Sequence, residues 1–296
     1  MTPTWEIAGV LRHYAPAEEA ALPLIVDSPH SGSIYPDDFD YACDLALLRH
    51  AEDAFVDRLF ASAPVVGAHL LCADFPRAYI DPNREEDDLD PAFLQPGHDL
   101  SPRATARARR GVGLIRRFVM GNEAIYREPL SGTAVRRRLE HYHRPYHRRL
   151  AALVDAAAER HGAVWFINAH SMKAESPRSA VDGVGRRRPD INLGDRKGSS
   201  CDAAFTAFAA EFFRSEGLSV ALNVPYQGAT LVQRHGDPAR GRHALQIEIN
   251  RGLYLDEARL EPAESFDDLV RLIERFLDAT AEFVRAGMSS EALASS

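Results

Sequence analysis

The spacing of apolar residues changes several times along the chain, and each change marks an element. Leu22–Pro29 (LPLIVDSP), apolar through Val26, reads as a short buried strand that ends in a loop at His30-Ser31-Gly32. From Tyr41 to Ala63 apolar residues recur at helical spacing (Leu45, Leu47, Leu48, Ala51, Phe55, Leu59), predicting one helix that Pro64 stops. Val65–Ala73 predicts a second strand and Ala78–Asp81 a short extended piece. Residues 84–105 are acidic, Pro-containing and aperiodic, which predicts a long surface excursion, either a lid or binding loop or a disordered stretch. Gly132–His161 predicts a mostly helical stretch with Arg and His outward, kinked or restarted at Pro145. Ala163–Asn168 (AVWFIN) predicts a buried strand running into Ala169-His170-Ser171, with an irregular stretch over 172–200. A helix over Asp202–Glu216, a strand over Leu218–Val224, a Gly-containing loop over 225–241 and a strand within His243–Leu255 follow. An amphipathic helix, Phe266–Ala286, closes the pattern, and the tail MSSEALASS has no apolar face and should fray.

Strands alternating with helices predict an α/β fold with a central mixed, mostly parallel sheet flanked by helices. No internal repeat and no Gly-, Ser- or Pro-rich linker divides the chain. A single domain over 1–296 is therefore expected, with its core at about 22–287. At 296 residues, 45% hydrophobic and 26% charged, the composition is that of an ordinary globular protein. The net charge of -8 argues against a general nucleic-acid binder. No apolar run reaches the roughly 18 residues of a membrane span, and the first twenty residues lack the basic and apolar regions of a signal peptide. Cys43, Cys72 and Cys201 form no CxxC pair and read as free thiols, so a reducing cytoplasm is the expected location.

Ligands of α/β sheets bind beyond the carboxyl ends of strands, and the informative polar residues lie at such ends. His30 and His170 each follow an apolar strand and precede a serine. Neutral imidazole is the commonest side-chain metal ligand, and a catalytic zinc takes about three protein ligands. A third ligand can come from Glu52, Asp53 or Asp57, all within the helical stretch 41–63; spacing does not choose among them. In HALQIEIN, alternation puts Leu245, Ile247 and Ile249 on one face and Gln246, Glu248 and Asn250 on the other. Glu248 there is either a general base or part of a solvated face. Arg77, Asn83 and Arg84 suit carboxylate recognition, or else the arginines pair with Glu85, Glu86 and Asp87. Arg234, Arg240, Arg242 and Arg251 are further candidates. The runs Arg136–Arg138 and Arg186–Arg188 read as solvated surface, the second able to rim an anionic-substrate site. They lack the interleaved aromatics of a single-strand nucleic-acid groove. Walker, GxGxxG and GxSxG motifs are absent, which leaves little support for a nucleotide-binding protein or a serine hydrolase.

The motifs VDSPHSG (26–32), AEDAFVDRLF (51–60), PRAYIDPNRE (76–85), RPYHRRL (144–150) and INAHSM (167–172) occur in order. PDINLGDRKGSSCD (189–202), NVPYQGATLVQRHGDP (223–238) and HALQIEINRGLYLDE (243–257) continue them. In that order and spacing the sequence resembles the N-formylglutamate amidohydrolases (N-formylglutamate deformylases) over about residues 22–257. The resemblance implies hydrolysis of N-formyl-L-glutamate to formate and L-glutamate in histidine degradation. It also implies a fold similar to the zinc carboxypeptidases and aspartoacylases. Those relatives use an HxxE ligand motif, which fails here because Ser33 stands three residues after His30. The resemblance then implies Asp53 as the carboxylate ligand, His170 as the later histidine and Glu248 as general base. It further implies Asp81-Pro82-Asn83-Arg84 as a carboxylate-holding element. The expected cofactor is one divalent ion, zinc first, with cobalt, iron or manganese also suited. The expected partner is a small anionic N-acyl amino acid. Deacylation of another N-acyl amino acid and non-catalytic anion binding are the competing readings.

Overall fold

The computed structural model describes residues 1–119, 122–177 and 183–294. The strands are β1 (Trp5–Ile7), β2 (Leu11–Tyr14), β3 (Leu24–Ser28), β4 (His69–Ala73), β5 (Val164–Met172), β6 (Ile191–Gly194), β7 (Val220–Leu222), β8 (Arg242–Asn250), β9 (Leu255–Asp256) and β10 (Glu261–Pro262). The α-helices are α1 (Leu45–Arg49), α2 (Val56–Leu59), α3 (Ala106–Arg109), α4 (Gly132–Arg138), α5 (Arg144–His161), α6 (Ala203–Ser215), α7 (Thr230–His235) and α8 (Phe266–Ala294). Eight strands make one sheet in the order β1-β2-β4-β3-β5-β8-β6-β7. Its centre, β4-β3-β5-β8, is parallel. Antiparallel pairs join β2 to β4 and β6 to β8, so the sheet is mixed, as the alternation of elements predicts.

Both faces of the central strands are covered, and β3 and β5 begin with unbroken apolar runs. Leu24, Val26, Trp165, Ile167, Leu245 and Ile247 pack with α6 and α8 on one face. Ile25, Leu71, Val164, Phe166 and Ala244 pack with Tyr146, Leu150 and Val154 of α5 on the other. Along β3, β5 and β8 this second face turns polar towards the carboxyl ends, through Asp27, Asn168, His170, Gln246, Glu248 and Asn250, all of them buried. Buried polar groups need partners, and the site is built where these partners meet.

Several elements depart from the sequence pattern. The helix expected over Tyr41–Ala63 is two short helices, α1 and α2, separated by a turn in which Phe55 adopts φ 64°. Tertiary bonds break it: Asp53 N–H donates to His30 O (2.9 Å), and the Arg251 guanidinium donates to the carbonyls of His50 and Glu52. A 3₁₀ turn opening at Ala63 delays β4 to His69. The piece at 78–81 joins no strand; Asp81 N–H instead donates to Leu114 O (2.9 Å). β5 runs on to Met172, so His170 lies within the strand and not beyond it. β6 lies in the stretch read as irregular, α7 in the loop 225–241, and the β1–β2 hairpin has no forerunner in the pattern. Gly132–His161 is α4, a π-helical turn and α5, with Pro145 in the first turn of α5. Its Arg138, His143 and His147 point inward, the arginine donating to Tyr79 O and Tyr126 Oη. Arg188 is buried as well, so neither arginine run is wholly solvated. Over the expected fraying tail, α8 continues to Ala294.

Candidate metal centre

The loop after β3 brings His30 under the end of β4. Gly32 permits the approach: a Cβ there would lie 2.3 Å from Phe75 O. Ile34 N–H closes the loop onto Asp74 O at 2.8 Å. His30 is 1% exposed, and Asp53 and His170 are each 2% exposed. One candidate ligand atom from each of these three lies within 4.8 Å of the others. Asp53 Oδ2 is 2.9 Å from His170 Nδ1 and 3.3 Å from His30 Nδ1.

The far side of each ring is held. His30 Nε2 meets Asp81 Oδ1 at 2.7 Å, and a carboxylate can only accept, so that nitrogen carries the proton. His30 Nδ1 is then a lone pair, buried and without a hydrogen-bond partner. His170 Nε2 faces two amides, Asn168 Oδ1 at 2.8 Å and Asn83 Nδ2 at 3.0 Å. Both amides are oriented by other contacts: Asn168 Nδ2 donates to Asp27 Oδ1 (2.6 Å), and Asn83 Oδ1 accepts from Leu231 N–H (2.9 Å). Protonated Nε2 therefore donates to Asn168, and bare Nε2 accepts from Asn83. A cation at Nδ1 selects the first tautomer. In the second tautomer Nδ1 donates to Asp53 Oδ2; in the first, two imidazole lone pairs and a carboxylate oxygen converge, and that donor set fits a divalent ion.

Arginines complete the shell. Arg77 donates to Asp81 Oδ2 through Nε (3.2 Å) and Nη2 (2.7 Å). Arg251 Nη2 donates to Asp53 Oδ1 at 3.0 Å. Burial pushes the Asp53 carboxyl up, but His170, His30 and Arg77 outweigh it and hold it well below its usual range. At Asp81 burial is likewise outweighed, chiefly by Arg77 and His30. Behind Asn168, Tyr146 Oη also donates to Asp27 (2.8 Å), whose carboxyl burial raises to about 7.

Glu248 stands opposite His170 on the β5–β8 ladder and opposite Asn192 on β6. It is 7% exposed, so the solvated-face reading fails. Gln246 Nε2 donates to it at 2.8 Å. Burial raises its carboxyl, with Asp53 adding to the rise and His170, Arg77 and Arg251 opposing it.

Of the three acidic candidates from 41–63, Asp53 alone joins the histidines. Glu52 accepts from Tyr35 Oη (2.6 Å), and Asp57 pairs with Arg12 (3.3 Å). Asn83 contacts His170, whereas Arg84 donates to Val112 O and Asn83 O. Arg234 is engaged elsewhere, with Glu85 and His147. Arg240 ends the 3₁₀ turn before β8 and Arg242 opens that strand, far along it from Glu248, and Arg242 pairs with Asp155. Sequence reasoning missed Asn168, although period-two alternation from His170 points to it. It also missed Asp27, which holds the Asn168 amide. A surface cavity of about 610 Å³ is lined by Arg12, Ser31, Glu52, Asp57 and Asp74 among others, and His30, His170 and Glu248 are not part of its lining.

The buried His-Asp-His group gathers the loop after β3, the turn between α1 and α2, and β5, with the buried Glu248 on the neighbouring parallel strand β8. Comparison with known proteins makes the assignment. The chain belongs to the N-formylglutamate amidohydrolase family, whose model matches residues 22–255, and is an amide-bond hydrolase. It is 40% identical to an N-formylglutamate amidohydrolase of Ralstonia eutropha JMP134 of known crystal structure. That likeness covers 94% of this chain and 99% of the other, with a TM-score of 0.88. It is 30% identical to N-formylglutamate deformylases of Pseudomonas putida and Pseudomonas aeruginosa. The matches cover 86% of this chain in each case, and 88% and 93% of the respective relatives.

Proposed function

We propose that this chain hydrolyses N-formyl-L-glutamate to formate and L-glutamate. The observation that carries the reading is the buried group His30, Asp53 and His170 with Glu248 on the ladder rung beside it. These three residues would hold one divalent ion, zinc first, with cobalt, iron or manganese also suited. When bound, such an ion lowers the pKa of water towards about 7 and polarises a carbonyl.

Glu248 accepts the proton of the attacking water at a carboxylate oxygen as the water oxygen adds to the formyl carbon. It then delivers that proton to the glutamate nitrogen as the C–N bond breaks. Its carboxyl, raised by burial, suits a group that must both take and give a proton near neutral pH. Asp81 and Asn168 orient the two imidazoles, and Arg77 and Arg251 fix Asp81 and Asp53. Arg84 has guanidinium nitrogen to spare for a substrate carboxylate, with Asn83 beside it and the outlying Arg234 a candidate for the rim. Among the described residues no helix is long and apolar enough to cross a membrane. A role in histidine breakdown in the cytoplasm accords with this substrate.

Assaying N-formyl-, N-acetyl- and N-succinylglutamate side by side, with metal analysis of the purified protein, tests the reading. The formyl compound should be hydrolysed fastest by protein carrying about one ion per chain. A faster acetyl or succinyl substrate overturns the acyl assignment. No bound ion, and no hydrolysis after adding zinc, cobalt, iron or manganese, leaves an anion-binding protein.

A further inference from the structure

Arg116 lies in the segment between α3 and α4, and that segment is stitched to the residues around Asp81. Asp81 N–H donates to Leu114 O (2.9 Å), Leu114 N–H to Asp88 O (2.7 Å), and Arg84 Nε to Val112 O (3.2 Å). Val112 and Arg116 face each other across an antiparallel bridge. Arg116 Nε donates to Phe118 O at 3.2 Å, which fixes the direction of the guanidinium. Among the described residues neither Arg116 nor Arg84 has a carboxylate partner: Arg84 bonds only carbonyls, Val112 O and Asn83 O. Their remaining nitrogens are not among the polar atoms sealed inside the protein without a partner, so they keep some contact with solvent.

The charges around them are unbalanced. Burial and the nearby Arg77 and Arg84 push the Arg116 guanidinium down to about 10. The acids close by are engaged: Asp81 by Arg77 and His30, Asp53 by Arg251 and the histidines. Like charges held together under poor solvation are unfavourable until an anion joins them. A guanidinium with both terminal nitrogens free presents the planar fork that a carboxylate fits.

We propose that Arg116, together with Arg84, receives one carboxylate of a dicarboxylic N-acyl amino acid. Arg116 is thereby a specificity-determining residue of the reaction. The proposal rests on the amide-hydrolase reading above and adds the residue that distinguishes a dicarboxylic substrate from a monocarboxylic one.

The test uses the metal-loaded enzyme and its Arg116→Ala and Arg116→Lys variants, each checked for an unchanged melting profile. Glutarate, which cannot be hydrolysed, is the binding probe. Arg116→Ala should bind it about 10- to 100-fold more weakly, the range of a lost charge-assisted hydrogen bond, and Arg116→Lys should recover part of that. In turnover, the α-amide and γ-amide of N-formylglutamate each lack one carboxylate. The parent enzyme should disfavour both relative to N-formylglutamate. Arg116→Ala should lose its discrimination against one amide and keep it against the other, which identifies the carboxylate that Arg116 holds. Unchanged glutarate affinity in Arg116→Ala, or full discrimination against both amides, overturns the proposal. A parent enzyme that hydrolyses no formyl compound refutes the substrate reading, while the glutarate comparison still decides on Arg116.

Discussion

Replacing Glu248 by Gln exchanges one carboxylate oxygen for an amide group and leaves the side chain's length and shape intact. The position is 7% exposed, so a variant that changed volume would disturb packing; this one does not. The hydrogen bond from Gln246 Nε2 (2.8 Å) survives if the new amide turns its oxygen that way. Burial makes the charge unfavourable here and outweighs the attraction of His170, Arg77 and Arg251, so with the charge removed folding stability should hold or rise. What is lost is proton transfer. A positioned general base contributes about 10²- to 10⁴-fold, or roughly 3–5 kcal/mol of transition-state stabilisation at about 1.4 kcal/mol per tenfold. The loss should fall on kcat and leave KM nearly unchanged. Steady-state kinetics with N-formylglutamate, metal content per chain and a melting curve, taken on one preparation, check it. Turnover at the parental rate with full metal would refute the base assignment. Loss of metal along with activity would move Glu248 from proton transfer to ion binding.

Asp53→Ala removes the atom that lies between both histidines, so it should abolish stoichiometric metal binding; a variant that retains one ion per chain refutes Asp53 as ligand. A chelator should lower the melting temperature of the parent and have little effect on Asp53→Ala, because an ion that binds only the folded chain stabilises it. Asp27 holds its proton more tightly folded than unfolded, since burial raises its carboxyl from 3.8 to about 7. The associated stability is full below about pH 4 and lost as pH rises through about 7. Asp27→Asn should therefore lose roughly 2–3 kcal/mol less than the parent between pH 5 and pH 8 in urea unfolding; parallel profiles would count against it. Gly32→Ala forces a Cβ to within 2.3 Å of Phe75 O and should displace the His30 loop, seen as weaker metal binding in a protein that melts lower. Metal affinity equal to the parent's would show the loop to be more pliable than its contacts suggest.

The strands that carry the histidines are legible because a strand buried on both faces must be apolar throughout, and few other elements write LPLIV or AVWFI. Glu248 is legible for the converse reason: a carboxylate on one side of an alternating strand needs an explanation. The break before α2 is not legible. Leu45, Leu48, Phe55 and Leu59 satisfy helical spacing whether one helix or two carries them. The signal that decides comes from Arg251 and His30, far away in sequence, which claim the backbone of the turn. β1 escapes because its side chains are exposed, so burial imposes no pattern on it. Arg116 escapes because an arginine in an aperiodic loop looks the same whether it faces water or a substrate.

The pairing of His170 with Glu248 across β5 and β8 has a consequence for how this site can vary. The proposed ligand and the proposed base share one rung, so their separation is governed by the distance between neighbouring strands, about 4.8 Å, and not by the shape of a loop. A register slip of one residue would turn both side chains to the opposite face and ruin site and core together. Insertions in the connecting segments, by contrast, leave the rung untouched. Such a site can exchange the walls that choose its substrate while the spacing on which the proposed proton transfer depends is inherited with the sheet.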